Sequence, residues 1–593
     1  MMLRVHTALV CFFTAACAPP VQERADAGTA ASASSRGETV LQALPSPVRI
    51  AVLGDRTGHP DDGMFRAVLE EIRRLAPDVV ISVGDFIDGY QPDGRIPEAE
   101  AEWDSVLEAI RRKLGDVPIF SAAGNHDVWS PASEALFTAR LNPPNVSMRF
   151  GSTAVIFFDT SRVDSETDLS DEALDWLVSA LYEARDAEAR VVVTHKPLFA
   201  LPGGGSYGAP LHDVLIAGNA DLVICGHWHH AMADDRDGIQ YRMIGTSGAM
   251  PNRPEHPESG NLTQFAWLVA DTDGIRFSIV KSGAVVPSDA FPYAMNQLEW
   301  KIERYAVIAT GFEMDPKQPS ATGRLDLTVA NVTDVPLKSR LDFDSGDWRV
   351  IPSAYDVDLA PGATRRLRPS FARKSDVPLF PGPAFSMVFP FFEETYRLQS
   401  HLTPTLWIQI KRSKTPWMLD GVLSDEERRA ATPTGPFMEE RGAAPPSADV
   451  RVMVRNDFLY IAATVDAPGA NCEETDQDSY LEDRDHLLVL ADGNIDTPEY
   501  ARFVIDCAGR ISQRRVQSAV PRRPADVQAV AKRTDRGWTA EIVIPLGELE
   551  PAPARRTVGF NIAAAKARPD TYGKSFWQPH LEHDVEALGR LSF

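Results

Sequence analysis

The chain has 593 residues, length for about three to five domains. Its 44% hydrophobic and 24% charged residues exclude whole-chain disorder and a fibrous repeat. Sixty Lys plus Arg against 83 Asp plus Glu leave a net charge of -23. With no local basic patch, this speaks against nucleic-acid binding. The five cysteines are never spaced CxxC, which excludes a zinc ribbon, a thioredoxin-type redox pair and a disulfide-dense scaffold.

In chain order, residues 1–17 come first: Arg4, the apolar run Ala8-Leu9-Val10-Cys11-Phe12-Phe13, then Ala15-Ala16. This is the order of an export signal, too short to span a bilayer permanently. Thr14-Ala15-Ala16-Cys17 also resembles a bacterial lipobox, with Thr in place of the usual Leu. That reading makes Cys17 a lipidated N-terminus on a periplasmic or outer-membrane-anchored protein; simple cleavage near Ala16 or Ala18 is the alternative. Residues 18–46, rich in Ala, Ser, Gly and Pro, read as a flexible tether.

From 47 to 283 short apolar strands alternate with helical patterns. Val48–Leu53 reads as a strand. Phe65, Val68, Leu69, Ile72 and Leu75 recur at helical spacing until Pro77. Val79–Val83, Val117–Phe120, Arg190–Thr194 and Asp221–Cys225 are further strands. Ala173, Leu174, Leu177, Val178 and Leu181 mark another helix. The alternation predicts a layered α/β domain with its chemistry in loops at strand ends. Residues 300–395 and 414–593 alternate with period two between turn clusters, which predicts two all-β sandwiches.

The chemistry-bearing residues follow the α/β strands: Gly54-Asp55, Gly84-Asp85-Phe86-Ile87-Asp88, Gly124-Asn125-His126-Asp127, His195, and Gly226-His227-Trp228-His229. Carboxylate, amide oxygen and imidazole together suit Mn, Fe or Zn rather than a thiolate site or an all-oxygen calcium cage.

At these five elements residues 47–283 resemble the calcineurin-like metallophosphoesterases, which implies a four-layer α/β sandwich holding two divalent metal ions. The resemblance makes Asp55 and His229 ligands of the first ion, Asp85 the bridging carboxylate, and Asn125, His195 and His227 ligands of the second. It implies hydrolysis of a phosphoester by metal-activated hydroxide attacking phosphorus in line. His126 is then the general acid, with Asp88 orienting its ring or, alternatively, capping a loop. Asp127 reads as a catalytic group or a loop brace. The sequence departs from the family at Asp55-Arg56-Thr57-Gly58, where Thr57 replaces a ligand histidine. The first ion is therefore expected to bind more weakly; His59 is a neighbouring candidate with the wrong spacing. Arg56 is a candidate substrate-phosphate ligand, or the partner of a loop carboxylate.

Other residues carry less. His212 on a helix and His230 in a turn are expected to be ordinary surface residues. Trp228 walls the site or packs, Gly203-Gly204-Gly205 reads as a rim loop, and Cys225 as a buried apolar residue. Residues 414–593 resemble family 9 carbohydrate-binding modules, through Pro416–Gly421, Asn456–Ile461, Gly537–Pro545 and Gly589-Arg590-Leu591. A glycan is the implied partner there, with Trp417, Trp538 and Trp577 either stacking on sugar or filling the core. Cys472 and Cys507 are candidates for a disulfide. Residues 300–395 look like an immunoglobulin-type spacer without chemistry. The competing reading of the whole chain is a weak pseudo-phosphoesterase acting as a glycan-binding envelope scaffold. The pattern leaves the choice between mono- and diester open.

Overall fold

The computed structural model describes residues 46–593, apart from 91–95, 164–167, 201–208, 273, 311, 317–321, 345, 375–378, 440–445, 473–480, 482–483, 493–499, 517–525, 550–556, 569–570 and 578–587. The export signal with Cys17, nearly all of the tether, and Gly203–Gly205 lie outside the described residues.

The first unit runs β1 (Val48–Leu53), α1 (Asp62–Leu75), β2 (Val79–Ser82), α2 (Ile96–Leu114), β3 (Ile119–Ser121), α3 (Pro131–Arg140), β4 (Val146–Phe150), β5 (Thr153–Phe157), α4 (Asp171–Glu183), β6 (Ala189–Val193), α5 (Pro210–Ala217), β7 (Leu222–Cys225), β8 (Met232–Arg236), β9 (Ile239–Met243), β10 (Gln264–Asp271), β11 (Gly274–Lys281) and β12 (Ala284–Pro287). Local chemistry sets α1: the Asp61 carboxylate accepts from the backbone N–H groups of Gly63 and Met64, and Ala76 turns left-handed before Pro77. The helix buries Phe65, Val68, Leu69 and Ile72. Helix α4 forms where expected but buries Leu177, Ala180 and Leu181, leaving Val178 exposed. Val178 lies about 100° round from Leu177, on the solvent side.

Two six-stranded sheets form, ordered β12-β11-β10-β1-β2-β3 and β4-β5-β6-β7-β9-β8. Val52, Ile81, Val155, Val193 and Ile224 share the core between them. Phe65, Trp103 and Phe137 from α1–α3 cover the outer face of the first sheet, and Leu181 and Leu215 from α4 and α5 that of the second. The layers are therefore helix, sheet, sheet, helix. Strands β1, β2 and β3 pair in parallel, as do β5, β6, β7 and β9, so the loops after β1, β2, β3, β6 and β7 gather where the sheet ends meet.

A helix, α6 (Tyr293–Tyr305), leads into β-sheet regions. The first packs a four-stranded sheet (354–359, 337–343, 384–391, 394–401) and two three-stranded sheets around Leu341, Trp348, Phe389 and Tyr396. The last packs a five-stranded sheet (432–433, 447–455, 458–466, 537–545, 528–534) against a nine-stranded one over Val452, Leu487, Trp538 and Trp577. A disulfide joins Cys472 to Cys507. No helix among the described residues is long and apolar enough to cross a membrane.

Candidate metal centre

The site is built where the two sheets adjoin. Backbone bonds first fix the loops: the N–H groups of Arg56 and Thr57 donate to the Asp85 carbonyl, and Gly226 N–H donates to that of His195, each at 3.0 Å. Asp85, His227 and His229 have φ of 60°, 74° and 57°, a left-handed backbone that costs about 1–3 kcal/mol at a residue with a side chain and that collects at functional sites. Two glycines allow the carboxylates in. A Cβ on Gly124 would lie 2.0 Å from Asp85 Oδ1, and one on Gly226 2.3 Å from Asp55 Oδ1.

Around His195 four ligand-type atoms converge. Its Nε2 lies 3.1 Å from Asp85 Oδ2, 3.0 Å from Asn125 Oδ1 and 3.2 Å from His227 Nδ1. Asp85, His195 and His227 hold ligand atoms within 4.8 Å of one another. A tetrahedral ion with bonds of about 2.0–2.1 Å separates its ligand atoms by about 3.3 Å, so these four residues fit a divalent cation. The other nitrogen of His195 faces the Val83 carbonyl at 2.9 Å, an outer contact that directs Nε2 inward. Asp55 and His229 make a looser second cluster. Asp55 accepts from His227 N–H at 3.0 Å, and its Oδ2 lies 3.5 Å from His229 Nε2. The Nδ1 of His229 faces the Met250 carbonyl at 3.0 Å.

The electrostatics reflect this crowding. Burial by itself lowers the pKa of His195, but the Asp85 and Asp55 charges override it and hold the ring at about 9. Burial and the neighbouring His195 charge push His227 down to about 3. Burial opposes ionisation of Asp85, yet His195 and His126 hold it below the usual carboxylate range. Asp127 is a brace: its carboxylate accepts from the N–H groups of Asp85 (2.7 Å), Phe86 (2.9 Å) and Gly124 (3.1 Å), tying two ligand loops together.

Asp55, Asp85, Asn125, His195, His227 and His229 are thus brought together, with His126 at the edge, its N–H donating to Asp85 Oδ1 at 2.9 Å. Several expectations are corrected. The Asp88 carboxylate does not orient His126; it accepts from the Thr57 hydroxyl, while the backbone carbonyl of Asp88 meets His126 Nδ1 at 2.7 Å. Of the two readings of Arg56, the contacts match the partnership with a carboxylate. Arg56 pairs with Asp62 at 2.8 Å, donates to the Phe86 carbonyl at 3.0 Å and lies over the Phe65 ring, because the first turn of α1 offers a carboxylate within reach of its long side chain. His59 is exposed on a left-handed turn. His212 and His230 are buried rather than on the surface: His212 meets Tyr241 Oη at 2.5 Å and Asp237 at 3.0 Å, and His230 meets Asn296 at 3.0 Å. Trp228 stacks on His230, and Cys225 is a buried free thiol. Trp417, Trp538 and Trp577 are 8%, 0% and 0% exposed, so they fill the core and offer no open face to a sugar.

Two contributors escaped the sequence reading. Tyr90 accepts from Asn125 Nδ2 at 2.9 Å, which turns Asn125 Oδ1 toward His195, and its ring meets His126 edge-on at 4.9 Å. Its place two residues after Asp88 was the available signal. The Met250 carbonyl has no side-chain signature at all.

Residues 48–231 match the family of calcineurin-like phosphoesterases. Similar solved structures include a family 9 carbohydrate-binding module from Caldicellulosiruptor kristjanssonii in complex with cellotriose (14% identity, TM-score 0.26, covering 31% of this chain and 92% of that one). Another is GAP50, the anchor in the inner membrane complex of Plasmodium (19%, 0.33, 41% and 88%). A third is a conserved protein from Streptococcus pneumoniae described as a predicted phosphoesterase (17%, 0.24, 42% and 97%). No curated protein matches the chain. The chain carries a calcineurin-like phosphoesterase domain of mixed α/β sheets, followed by β-sheet regions.

Proposed function

We propose that this chain is an exported hydrolase that cleaves a phosphomonoester or phosphodiester with two divalent cations. The observation that carries the reading is the convergence of Asp85, Asn125, His195 and His227 on one point, each through an atom that can face a cation. One ion would be held by these four and the other by Asp55, His229 and the shared Asp85; Mn, Fe and Zn all accept this donor set. When bound, the cations supply charge that polarises the phosphoryl group and acidifies water. His126 supplies the proton. With Nδ1 held by the Asp88 carbonyl, a second proton on Nε2 makes the imidazolium, the form able to protonate a departing oxygen. Tyr90 keeps Asn125 oriented, and Asp127 keeps the loops of Asp85 and Asn125 in register.

Export rests on residues 1–17, and the Cys472–Cys507 disulfide suits an oxidising compartment. In this proposal Cys17 carries the lipid and residues 18–46 hold the enzyme off the periplasmic or outer-membrane surface. A glycan on the C-terminal unit would need a site other than the three buried tryptophans. The scaffold reading draws on one feature, the engagement of the Thr57 hydroxyl by Asp88, which leaves the Asp55 side short of a ligand.

Chromogenic mono- and diester substrates with added Mn separate the two. Turnover that disappears in Asp85→Asn is the expected result. Wild-type rates equal to that variant's leave the scaffold.

A further inference from the structure

The stretch from 300 to 395 reads in sequence as a spacer, yet the structure ties it to the metal centre through one loop. That loop, 250–261, begins at Met250, whose carbonyl faces His229 Nδ1. This contact keeps the proton on Nδ1 and leaves Nε2 as the ligand atom. Two residues on, Asn252 N–H donates to the His229 carbonyl at 3.3 Å. The backbone then passes to Arg253, whose N–H donates to the buried Asn261 at 3.0 Å and whose guanidinium leaves the domain. It lies 3.4 Å from Glu299 and 3.5 Å from Glu303, both on α6, and 3.4 Å from Tyr396 Oη in the middle β region. Tyr396 is fully buried; its hydroxyl donates to Glu303 at 2.5 Å, and its ring stacks on His256 of the same loop at 3.9 Å and 14°. Asn261 Nδ2 donates to Glu299 at 3.4 Å, and Asn296 of α6 meets His230, the residue after the ligand.

We infer that α6 and the middle β region are a clamp on the 250–261 loop, with Arg253, His256, Glu299 and Tyr396 as positioning residues for His229. The physical reason is the weakness of what the clamp supports. His229 has a left-handed backbone and meets Asp55 only at 3.5 Å, and no imidazole stands at Thr57 to share the load. In this partly buried ion network, closed by the buried Tyr396 and Glu299, a lost partner leaves charge unpaired, so disturbing it releases the loop and with it the Met250 carbonyl. The clamp acts on the Asp55–His229 side alone; no residue of the loop is among the contacts described around Asn125 and His195.

The inference rests on the two-ion reading for its effect on metal binding, but not for the clamp itself. The experiment uses the full chain and the variants Arg253→Ala, Arg253→Lys and Tyr396→Phe. Hydrogen exchange on metal-free protein reads the amides of 250–261, and Mn titration reads the two ions separately. Arg253→Ala and Tyr396→Phe are expected to speed exchange across 250–261 and to weaken the looser ion about three- to tenfold while sparing the tighter one, since changes to groups that orient a ligand cost about 10–100-fold when direct. Arg253→Lys restores both in part. Exchange unchanged in both disruptive variants overturns the clamp. Faster exchange with both ion affinities at the parental value overturns the positioning role. A parent chain that takes up no Mn sinks the phosphoesterase reading instead, and the exchange data still decide the clamp.

Discussion

The two sides of the candidate metal centre are built differently. Around His195, carboxylate, amide and two imidazoles meet at 3.0–3.2 Å, and three of the four are held from behind: His195 by the Val83 carbonyl, Asn125 by Tyr90, Asp85 by the N–H of His126 and, through its own backbone, by Asp127. Around Asp55 a single imidazole stands off at 3.5 Å, and the Thr57 hydroxyl is spent on Asp88. Metal sites are only as precise as the contacts that orient their ligands. One side is therefore a closed cage, and the other depends on a loop anchored elsewhere in the molecule.

The strongest way to break this comparison is to remove the residue that the proposed function has the two sides share. Asp85→Asn is expected to cut phosphoester turnover about 10³-fold or more and to lower bound metal from two ions toward one or none by elemental analysis; a variant that keeps both ions contradicts a bridging Asp85. Next comes affinity. Titration of the metal-free chain with Mn should fill the His195 side first, with dissociation constants at least about tenfold apart, about 1.4 kcal/mol. Thr57→His should narrow that gap, and two equal sites in the parent would dissolve the contrast. Asp127→Asn replaces with an amide N–H₂ either the oxygen that accepts from the N–H groups of Asp85 and Gly124 or the one that accepts from Phe86. A cost of about 3 kcal/mol by urea unfolding is expected, together with weaker binding on the closed side.

The smallest effect is a control remote from both sides. Arg49 grips Asp78 through two side-chain bonds, at 3.1 and 2.8 Å, and one backbone bond at 2.8 Å, and the side-chain bond to Arg49 first among these holds the Asp78 carboxyl below its ordinary range. A depressed folded-state pKa means stability present above the unfolded value and lost as pH falls through the folded one. Asp78→Asn should therefore cost about 1 kcal/mol near neutral pH, with the difference shrinking below about pH 4. Metal affinities should not move; if they do, general destabilisation rather than local design accounts for the contrast.

Much of the centre was legible because each of Asp55, Asp85, Asn125, His195 and His227 closes an apolar run beside a glycine or at a strand end, a local signal. Asp88 was legible as a member of the site but not in its contact: a residue in a loop presents both a carbonyl and a carboxylate, and which one meets His126 depends on a neighbour thirty-one positions away, Thr57. The two readings of Arg56 could not be separated for a similar reason, since a long flexible side chain takes whichever carboxylate lies within its radius, and Asp62 does. The histidines at 212 and 230 carried no sign of burial because their partners, Asp237 and Asn296, come from distant segments.

Sequence by itself determined the succession of an α/β unit and β-sheet regions and the strand ends that carry the candidate ligands, because periodicity and turn chemistry act within a few residues. Tertiary structure alone decided that the three tryptophans of the last unit face inward, that the Met250 carbonyl sets the His229 ring, and that α6 and Tyr396 reach back to the loop behind it. Those outcomes depend on which surfaces meet when sheets stack, and contacts between residues from about twenty to more than a hundred positions apart leave no local trace in the order of amino acids.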